Sequence, residues 1–466
     1  MGGRATFNAV DSKIVLGHIR KVGTSQYDPT ILMKTVRQIP AVSTLSTGRI
    51  VAIAAVIFVV AHSVLLIGLT TPEKFVFDEV HYVPAARQML EPGRPAVLLN
   101  PMHPPLAKEL IALSIAGFGD SAFGWRYPAA LFGALAIVAV YLCALALFNA
   151  QGGAIAAALI AFLNQMVFVQ SRIAMLDIFA LTFSLLAIAA FLRGFAAARP
   201  RRWFALSGLC FGLAVACKWS GLFPLAVAVA IIALVRLLQG WKTRFAESRP
   251  DDWYHPDQWP GLRWYHIIAC FVLVPALAYA VTFIPLYGFS PADILEAQRR
   301  IFADNTTSAI PSHTYMSSWP TWPFLMRPVW FLFDKVGDDS IAAVVFLGNP
   351  VVLWPALLAL AVCMRDFIVE RRAAPFLILS FYFGSYLALA LMPRALAFLY
   401  YYLPSATILS LALVYALTRG STPRWLLWAF VGLACAGFVV MLPISAAYVT
   451  TSMQMFNRLM LFQSWI

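Results

Sequence analysis

Apolar residues along this chain come in long blocks rather than in alternation. Blocks rich in Ala, Leu, Val, Ile and Phe occupy residues 50–69, 127–148, 152–169, 173–192, 204–217, 219–237, 265–287, 349–364, 375–392, 397–417 and 424–443. About twenty such residues in a helix cross the hydrocarbon of a bilayer. The pattern therefore predicts eleven spans, of which 204–217 is the weakest. Two stretches between blocks are long, 70–126 and 288–348. Inside them a helical rhythm recurs without the apolar length to span. It runs over 78–90, with Val80, Val83 and Met89 and a stop at Pro92-Gly93, then over 106–118, with Leu106, Leu110, Leu113 and Phe118, and again over 291–303. These predict helices lying in the membrane interface. Gly208 and Gly212, four apart, predict a close approach between two helices.

Charge orients the blocks. Arg193, Arg199, Arg201 and Arg202 share one side with Arg236, Lys242, Arg244, Arg249 and Arg263, with Arg365, Arg371 and Arg372, and with Arg419 and Arg424. Basic loops of this kind face the cytoplasm, so both long stretches become outer loops. The fold class expected is an all-α polytopic membrane protein of about 11 transmembrane helices, with amphipathic interfacial helices in two long outer loops. It divides into a basic cytoplasmic segment, 1–48, a transmembrane domain, 49–443, and a tail, 444–466, on the outer face. The first segment is too long, and its apolar run too late, for a cleavable signal peptide.

Composition narrows the function. Of 466 residues, 61% are hydrophobic and 12% charged, and 34 basic side chains against 21 acidic ones leave a net charge of +13. The mean hydropathy is +0.78. Because the basic residues sit in clusters between apolar runs, the excess reads as membrane topology, and nucleic acid is not an expected partner. The six cysteines are isolated and form no C-x-x-C pair, so neither a disulfide framework nor a metal site is expected. No glycine-rich phosphate loop is present, and no D-x-D pair. Asp338-Asp339 reads as a turn, and "DDWYHPD" (251–257) as a solvated loop.

What remains is a set of polar residues crowded on the outer side. It comprises Asp78, Glu79, His81, Tyr82, His103, Lys108, Arg126, Gln170, Arg172, Asp177, Lys218, His313, Arg394 and the run Tyr400–Tyr402. A charge near the membrane centre costs at least about 2.5–3.5 kcal/mol on insertion scales, so such residues ask for a reason. Structural explanations exist one by one. Arg172 and Asp177 can pair with each other, Lys218 can reach the headgroups, and His103 can brace a turn stiffened by Pro104 and Pro105. The tyrosines can form an interfacial belt, His313 can be solvated, and Asp78-Glu79 can cap a helix start. Together, however, Lys108, Arg126, Arg172, Lys218 and Arg394 come from separate loops and span ends to one face. Such cations around a few carboxylates suit a phosphate or diphosphate at membrane depth. They would stabilise a phosphate leaving group without a metal.

The stretches that hold these residues are "FDEVHY" (77–82), "HPPLAK" (103–108), "GWRYP" (124–128), "QSRIAMLD" (170–177), "CKWSG" (217–221), "HTYMSSWPTWP" (313–323), "LGNP" (347–350) and "RALAFLYYYLP" (394–404). In this order they resemble the protein O-mannosyltransferases, polytopic glycosyltransferases of GT-C architecture that use a polyprenyl-phosphate sugar. The chain departs from the family in having Ala107 where Gly is usual. Its second outer loop also lacks room for the β-trefoil module inserted in eukaryotic members, so it resembles a bacterial form acting on the outer face of the inner membrane. The resemblance implies a polyprenyl-phosphate-linked mannose as donor and a Ser/Thr hydroxyl of a protein as acceptor. Membrane lipids and the secretion machinery are further candidate partners, and no cofactor is implied. Transfer would invert the anomeric carbon. Asp78 is expected as general base, with Glu79 beside it orienting the acceptor or a helix terminus. Lys108, Arg126, Arg172, Lys218 and Arg394 are assigned to the donor phosphate. His81, Tyr82, His103, Gln170, Asp177, His313 and Tyr401 are assigned to sugar or acceptor. Asn305-Thr306-Thr307 matches a glycosylation acceptor pattern. Two alternatives stay open: a related GT-C enzyme moving another lipid-linked sugar onto a lipid or glycan, and a polyprenyl-phosphate-binding transporter.

Overall fold

A computed structural model describes residues 46–93, 99–245, 258–306, 313–391 and 397–466. Arg394 and the N-terminal segment 1–45 fall outside them. The first half holds α1 (Thr47–Leu66), α2 (Glu79–Gln88), α3 (Leu106–Phe118), α4 (Ala122–Phe148), α5 (Gln151–Phe162), α6 (Gln165–Gln170), α7 (Asp177–Ala196), α8 (Arg201–Cys217) and α9 (Leu222–Phe245). After it come α10 (Trp264–Val281), a helix with one π-helical turn at its middle, and α11 (Pro291–Thr306). A hairpin of β1 (Val329–Lys335) and β2 (Ser340–Phe346) precedes α12 (Pro350–Glu370), α13 (Ala373–Ala390), α14 (Leu403–Leu417) and α15 (Arg424–Met441). The chain closes with β3 (Thr451–Ser452) and α16 (Met453–Leu459).

Nine helices among the described residues are long and apolar enough to cross a membrane, and the chain is an integral, multi-pass membrane protein. The two other predicted spans exist as shorter helices. The 152–169 block breaks at Leu163-Asn164, where the Asn164 side chain accepts from the Met166 N–H and starts a new helix. The 204–217 block is a helix of 17 residues. All three expected interfacial helices are present, as α2, α3 and α11.

Helices differ in what covers them. The apolar window of α7 is 83% buried, whereas that of α1 is 11% buried. α7 therefore lies at the centre of the bundle, and α1 shows most of its surface to lipid. α8 lies close against α10 at Gly208 and Gly212. A Cβ on Gly208 would stand 1.7 Å from the Cys270 carbonyl oxygen, and one on Gly212 2.5 Å from that of Pro275. Small residues let backbones meet in this way where no hydrophobic effect drives helices together.

Within the 288–348 stretch the mostly helical fold also contains a β-hairpin. β1 and β2 pair antiparallel, with Val329 opposite Phe346, Lys335 opposite Ile341 and an irregularity between Trp330 and Leu332. The Gly337–Asp339 bend joins them, so Asp338-Asp339 is a turn, as read from sequence. β2 is almost wholly buried and runs inward to Asn349, which begins α12. There the Asn349 amide donates to the carbonyls of Leu163 and Ala434, and its oxygen accepts from the Val351 N–H. One side chain thus satisfies the carbonyl left over where α5 breaks. The C-terminal segment covers the hairpin: the Trp330 indole donates to the Trp465 carbonyl, and the buried Trp465 indole to that of Leu325.

At the far end of α14 from Tyr400, the buried Asp366 accepts from the Tyr415 hydroxyl (2.9 Å) and pairs with Arg365 (2.7 Å) and Arg419. This ties α12 to α14 at the end rich in arginine.

Gly208→Ala is expected to destabilise the protein by about 1–3 kcal/mol, the usual range for overpacking. Gly432→Ala in α15, where an added Cβ meets nothing within 4 Å, is expected to leave stability unchanged or raised. Thermal unfolding of the two variants in detergent checks the contrast; equal melting temperatures would contradict the close α8–α10 approach.

Candidate active site

Two adjacent carboxylates begin α2, and the fold separates them. Glu79 is completely buried. Its two oxygens accept from the Arg126 Nε and Nη2 at 2.8 Å each, and from the backbone N–H groups of Val76 (2.8 Å) and Ala174 (2.9 Å). Arg126 is equally hidden, and its remaining N–H groups go to the carbonyls of Leu69, Pro72 and Lys74. All five guanidinium donors are thereby committed to protein acceptors. Arg126 has none to offer a phosphate, and Glu79 has no face open to a substrate. The geometry gives both a structural role, in place of the phosphate and catalytic roles expected from sequence.

Asp78 turns the other way. Phe77, just before it, has a positive φ of 48°, a region that costs a bulky L-residue energy and that clusters at functional sites. The Phe77 ring is fixed by stacking on Phe331 of β1 (4.4 Å) and by an edge contact with Tyr400 (6.2 Å). The Asp78 carboxylate accepts a long hydrogen bond from the Tyr82 hydroxyl (3.4 Å). Burial raises the Asp78 pKa above its ordinary value; Lys218 and His81 oppose that rise, and Asp177 adds to it. Burial, with Asp78 and Asp177 nearby, holds the Tyr82 phenol well above its usual range. It stays protonated and able to donate.

Asp177 and Lys218 form the second part of the site. Lys218 Nζ lies 2.8 and 2.9 Å from the two Asp177 oxygens, and both residues are buried. The ammonium also sits over the rings of Tyr400 (5.3 Å) and Tyr401 (5.4 Å). Asp177 thus pairs with Lys218 at the end of α8 and not with Arg172. With two of its three N–H bonds directed to one carboxylate, Lys218 keeps a third for another acceptor. A narrow cleft opens beside this pair, lined by Asp177, Leu181, Phe223, Pro224, Leu389, Tyr400 and Pro404 among others. Its walls are mostly apolar, and the buried Ser385 hydroxyl on them has no partner among the described residues.

The other predicted residues are spread around this centre. Arg172 donates to the Leu65 carbonyl (2.6 Å) and lies between the rings of Phe168 (5.2 Å) and Tyr448 (4.8 Å). Burial lowers its pKa to about 10, so it remains charged. Lys108 is buried and bound to the carbonyls of Asn100 (2.7 Å) and His103 (2.9 Å). Burial lowers its pKa to about 7, which makes it a poor fixed cation. It lines a separate cleft with His103, Phe283 and Arg300 of α11. The His103 ring packs on Tyr82 at 6.1 Å. His81 is exposed. Exposed His313 meets Phe398 edge-on (5.2 Å), and Phe398 stacks on Tyr400 (5.2 Å). Gln170 is fully buried, and neither amide atom has a partner among the described residues. The structure therefore gathers Asp78, Tyr82, Asp177, Lys218 and Tyr401, and sets Lys108, Arg126 and Arg172 apart. Tyr400, under Lys218, belongs to the site as much as Tyr401 does; the triple-tyrosine run marked it, but sequence alone could not choose between neighbours.

A family model described as dolichyl-phosphate-mannose-protein mannosyltransferase matches residues 55–286. A second, the C-terminal four-transmembrane region of protein-O-mannosyltransferase, matches 289–465. The chain belongs to this family of membrane glycosyltransferases. Among its relatives, a polyprenol-phosphate-mannose–protein mannosyltransferase of Mycolicibacterium smegmatis is 28% identical, over 69% of this chain and 72% of that protein. One from Corynebacterium glutamicum is 34% identical over 38% and 40%. The solved Saccharomyces cerevisiae protein O-mannosyltransferase Pmt1-Pmt2 complex bound to the sugar donor superposes with a TM-score of 0.73, covering 91% of this chain and 93% of that one at 16% identity. ArnT from Cupriavidus metallidurans bound to undecaprenyl phosphate gives 0.55 over 84% and 70%, also at 16% identity. These two likenesses establish a shared GT-C fold.

Glu79→Ala and Arg126→Ala are each expected to destabilise the protein by about 3–5 kcal/mol, the usual result of leaving one buried charge unpaired. The double variant should lose clearly less than the sum. Melting temperatures of the three variants test this; additive losses would mean that the two side chains do not act as a pair.

Proposed function

We propose that this chain transfers mannose from a polyprenyl-phosphate-mannose donor to Ser or Thr hydroxyls of proteins, at the non-cytoplasmic face of the membrane and with inversion at the anomeric carbon. One observation carries the proposal. Asp78, a carboxylate of raised basicity, stands in the same cluster as a buried Lys218–Asp177 pair that borders an apolar cavity.

Each part has a chemical task. The isoprenoid's first units lie along the apolar cavity, with the phosphate at its polar end against the third N–H of Lys218. The acceptor hydroxyl approaches Asp78 from the opposite side. As its oxygen bonds to the anomeric carbon, the proton passes to the carboxylate and the bond from that carbon to the phosphate oxygen breaks. The electron pair leaves with polyprenyl phosphate, which gains a negative charge in the step. Lys218 meets that charge where it develops, the condition for rate enhancement rather than mere binding. In this reading side-chain cations serve in place of a metal ion. Tyr82 steadies the Asp78 carboxylate, and Asp177 holds the Lys218 ammonium in place. Glu79 and Arg126 hold the segment that presents Asp78. The orientation rests on the arginine-rich end around Asp366, which lies at the other end of α14.

The sign of the pH dependence follows from Asp78. The working form is ionised, and burial raises its pKa. Activity should fall on acidification at a pH above the ordinary aspartate value of about 3.9. Asp78→Asn should abolish transfer, by about a hundredfold or more for a lost general base, while keeping the melting temperature and donor binding. Purified enzyme, lipid-linked mannose and a Ser/Thr peptide weighed by mass spectrometry, with and without EDTA, form the test. Wild-type turnover in Asp78→Asn would remove the base assignment; loss of wild-type activity on chelation would remove the metal-free step.

A further inference from the structure

The Lys218 loop is held from behind by a hydrogen-bonded chain that the reaction itself does not use. Trp219 follows Lys218 and packs against the Phe283 cluster. Its indole N–H donates to the Tyr279 hydroxyl of α10 at 3.1 Å. That hydroxyl in turn donates to the Gln298 Oε1 of α11 at 2.5 Å, and the Gln298 amide donates to the Ile294 carbonyl at 3.2 Å. A small apolar cluster separate from the main core surrounds the chain: Phe283, Ala297 and Ile301, packed with Trp219, Tyr279 and Ile294. The Tyr279 phenol therefore joins three elements, the 218–221 loop, the span α10 and the interfacial helix α11.

We propose that Tyr279 is a positioning residue for donor binding, holding Lys218 in register through Trp219 while itself fixed by Gln298. The proposal rests on reading Lys218 as the residue that meets the donor phosphate. Lys218 is on a four-residue connection between α8 and α9, and among the described residues only Asp177 holds its ammonium by hydrogen bonds. The backbone beside it needs an anchor if the third N–H is to point consistently at an anion. A ring-stabilised hydrogen bond one residue away supplies it, and α11 carries that anchor out to the interface.

Tyr279→Phe keeps the ring and removes both hydrogen bonds; Trp219→Phe removes the indole donor alone. The full chain is assayed for donor KM and kcat, and for binding of undecaprenyl phosphate. Each variant should raise donor KM and the lipid-phosphate Kd by about three- to tenfold, the effect of one hydrogen bond, with kcat within about twofold. The double variant should be no worse than the weaker single one, because both remove the same link. Unchanged KM and Kd in both variants, or a fall in melting temperature with KM and Kd intact, would overturn the proposal. Wild-type protein that binds undecaprenyl phosphate but transfers no mannose would refute the function above, and the Kd shift would still decide the role of Tyr279. Wild-type protein that binds no polyprenyl phosphate would refute both.

Discussion

The buried ion pair between Glu79 and Arg126 is the constraint on which the site depends. Neither charge could be hidden alone; burial is tolerated because every lone pair and N–H finds a partner. Four stretches meet there: the end of α1 and the 72–76 loop through carbonyls and the Val76 N–H, α4 through Arg126, and the loop before α7 through Ala174. With Glu79 directed inward, its neighbour cannot follow, since successive helical residues diverge by about 100°. Asp78 is thereby turned toward Lys218 and Asp177, and the positive φ of Phe77 is the backbone's contribution to that turn. The pair of acids at the head of α2 is one device with two functions. One side chain builds the frame and the other is presented by it.

The charges at the site are arranged for change rather than for tight initial binding. Among the described residues, Asp78 and Asp177 lie near one close ammonium, that of Lys218, which already serves Asp177. A phosphodiester entering this cluster gains little net attraction. In the proposed reaction, once the carbon–oxygen bond breaks, the leaving phosphate carries one more negative charge while Asp78 acquires a proton and loses its own. The balance then shifts in favour of Lys218 and the departing group. In the same proposal the apolar cleft next to the pair supplies binding that is independent of charge.

Much of this was legible in the chain. Block hydropathy located the long helices, and rhythm located α2, α3 and α11, because a bilayer imposes length and an interface imposes amphipathicity. The motif order identified the family, which the two family models match over most of the chain. Other features were not legible, for physical reasons. The hairpin run "VWFLFDKVGDDSIAAVVF" has strand-forming residues around a turn, but buried strands and short apolar helices look alike without periodicity. Of the two predicted spans that are not among the nine long helices of the described residues, one is interrupted because Asn164 caps a helix inside an apolar block, a local event invisible to a hydropathy average, and the other, α8, is only 17 residues long. Arg126 and Lys218 could not be separated by sequence: both are cations at the same face. Only the partners show that one is spent on Glu79 and three carbonyls while the other keeps a donor.

The central claim is that Lys218, and not Arg126 or Lys108, meets the lipid phosphate, with Asp78 facing it across the reacting carbon. Electron cryo-microscopy of the chain with bound undecaprenyl phosphate tests this most directly. The account predicts the phosphate within hydrogen-bond reach of Lys218 Nζ, its chain along the Leu181–Pro404 cavity, and Glu79–Arg126 unchanged. A phosphate held instead by Lys108 in the cleft beside α11, or by an Arg126 released from Glu79, would contradict it.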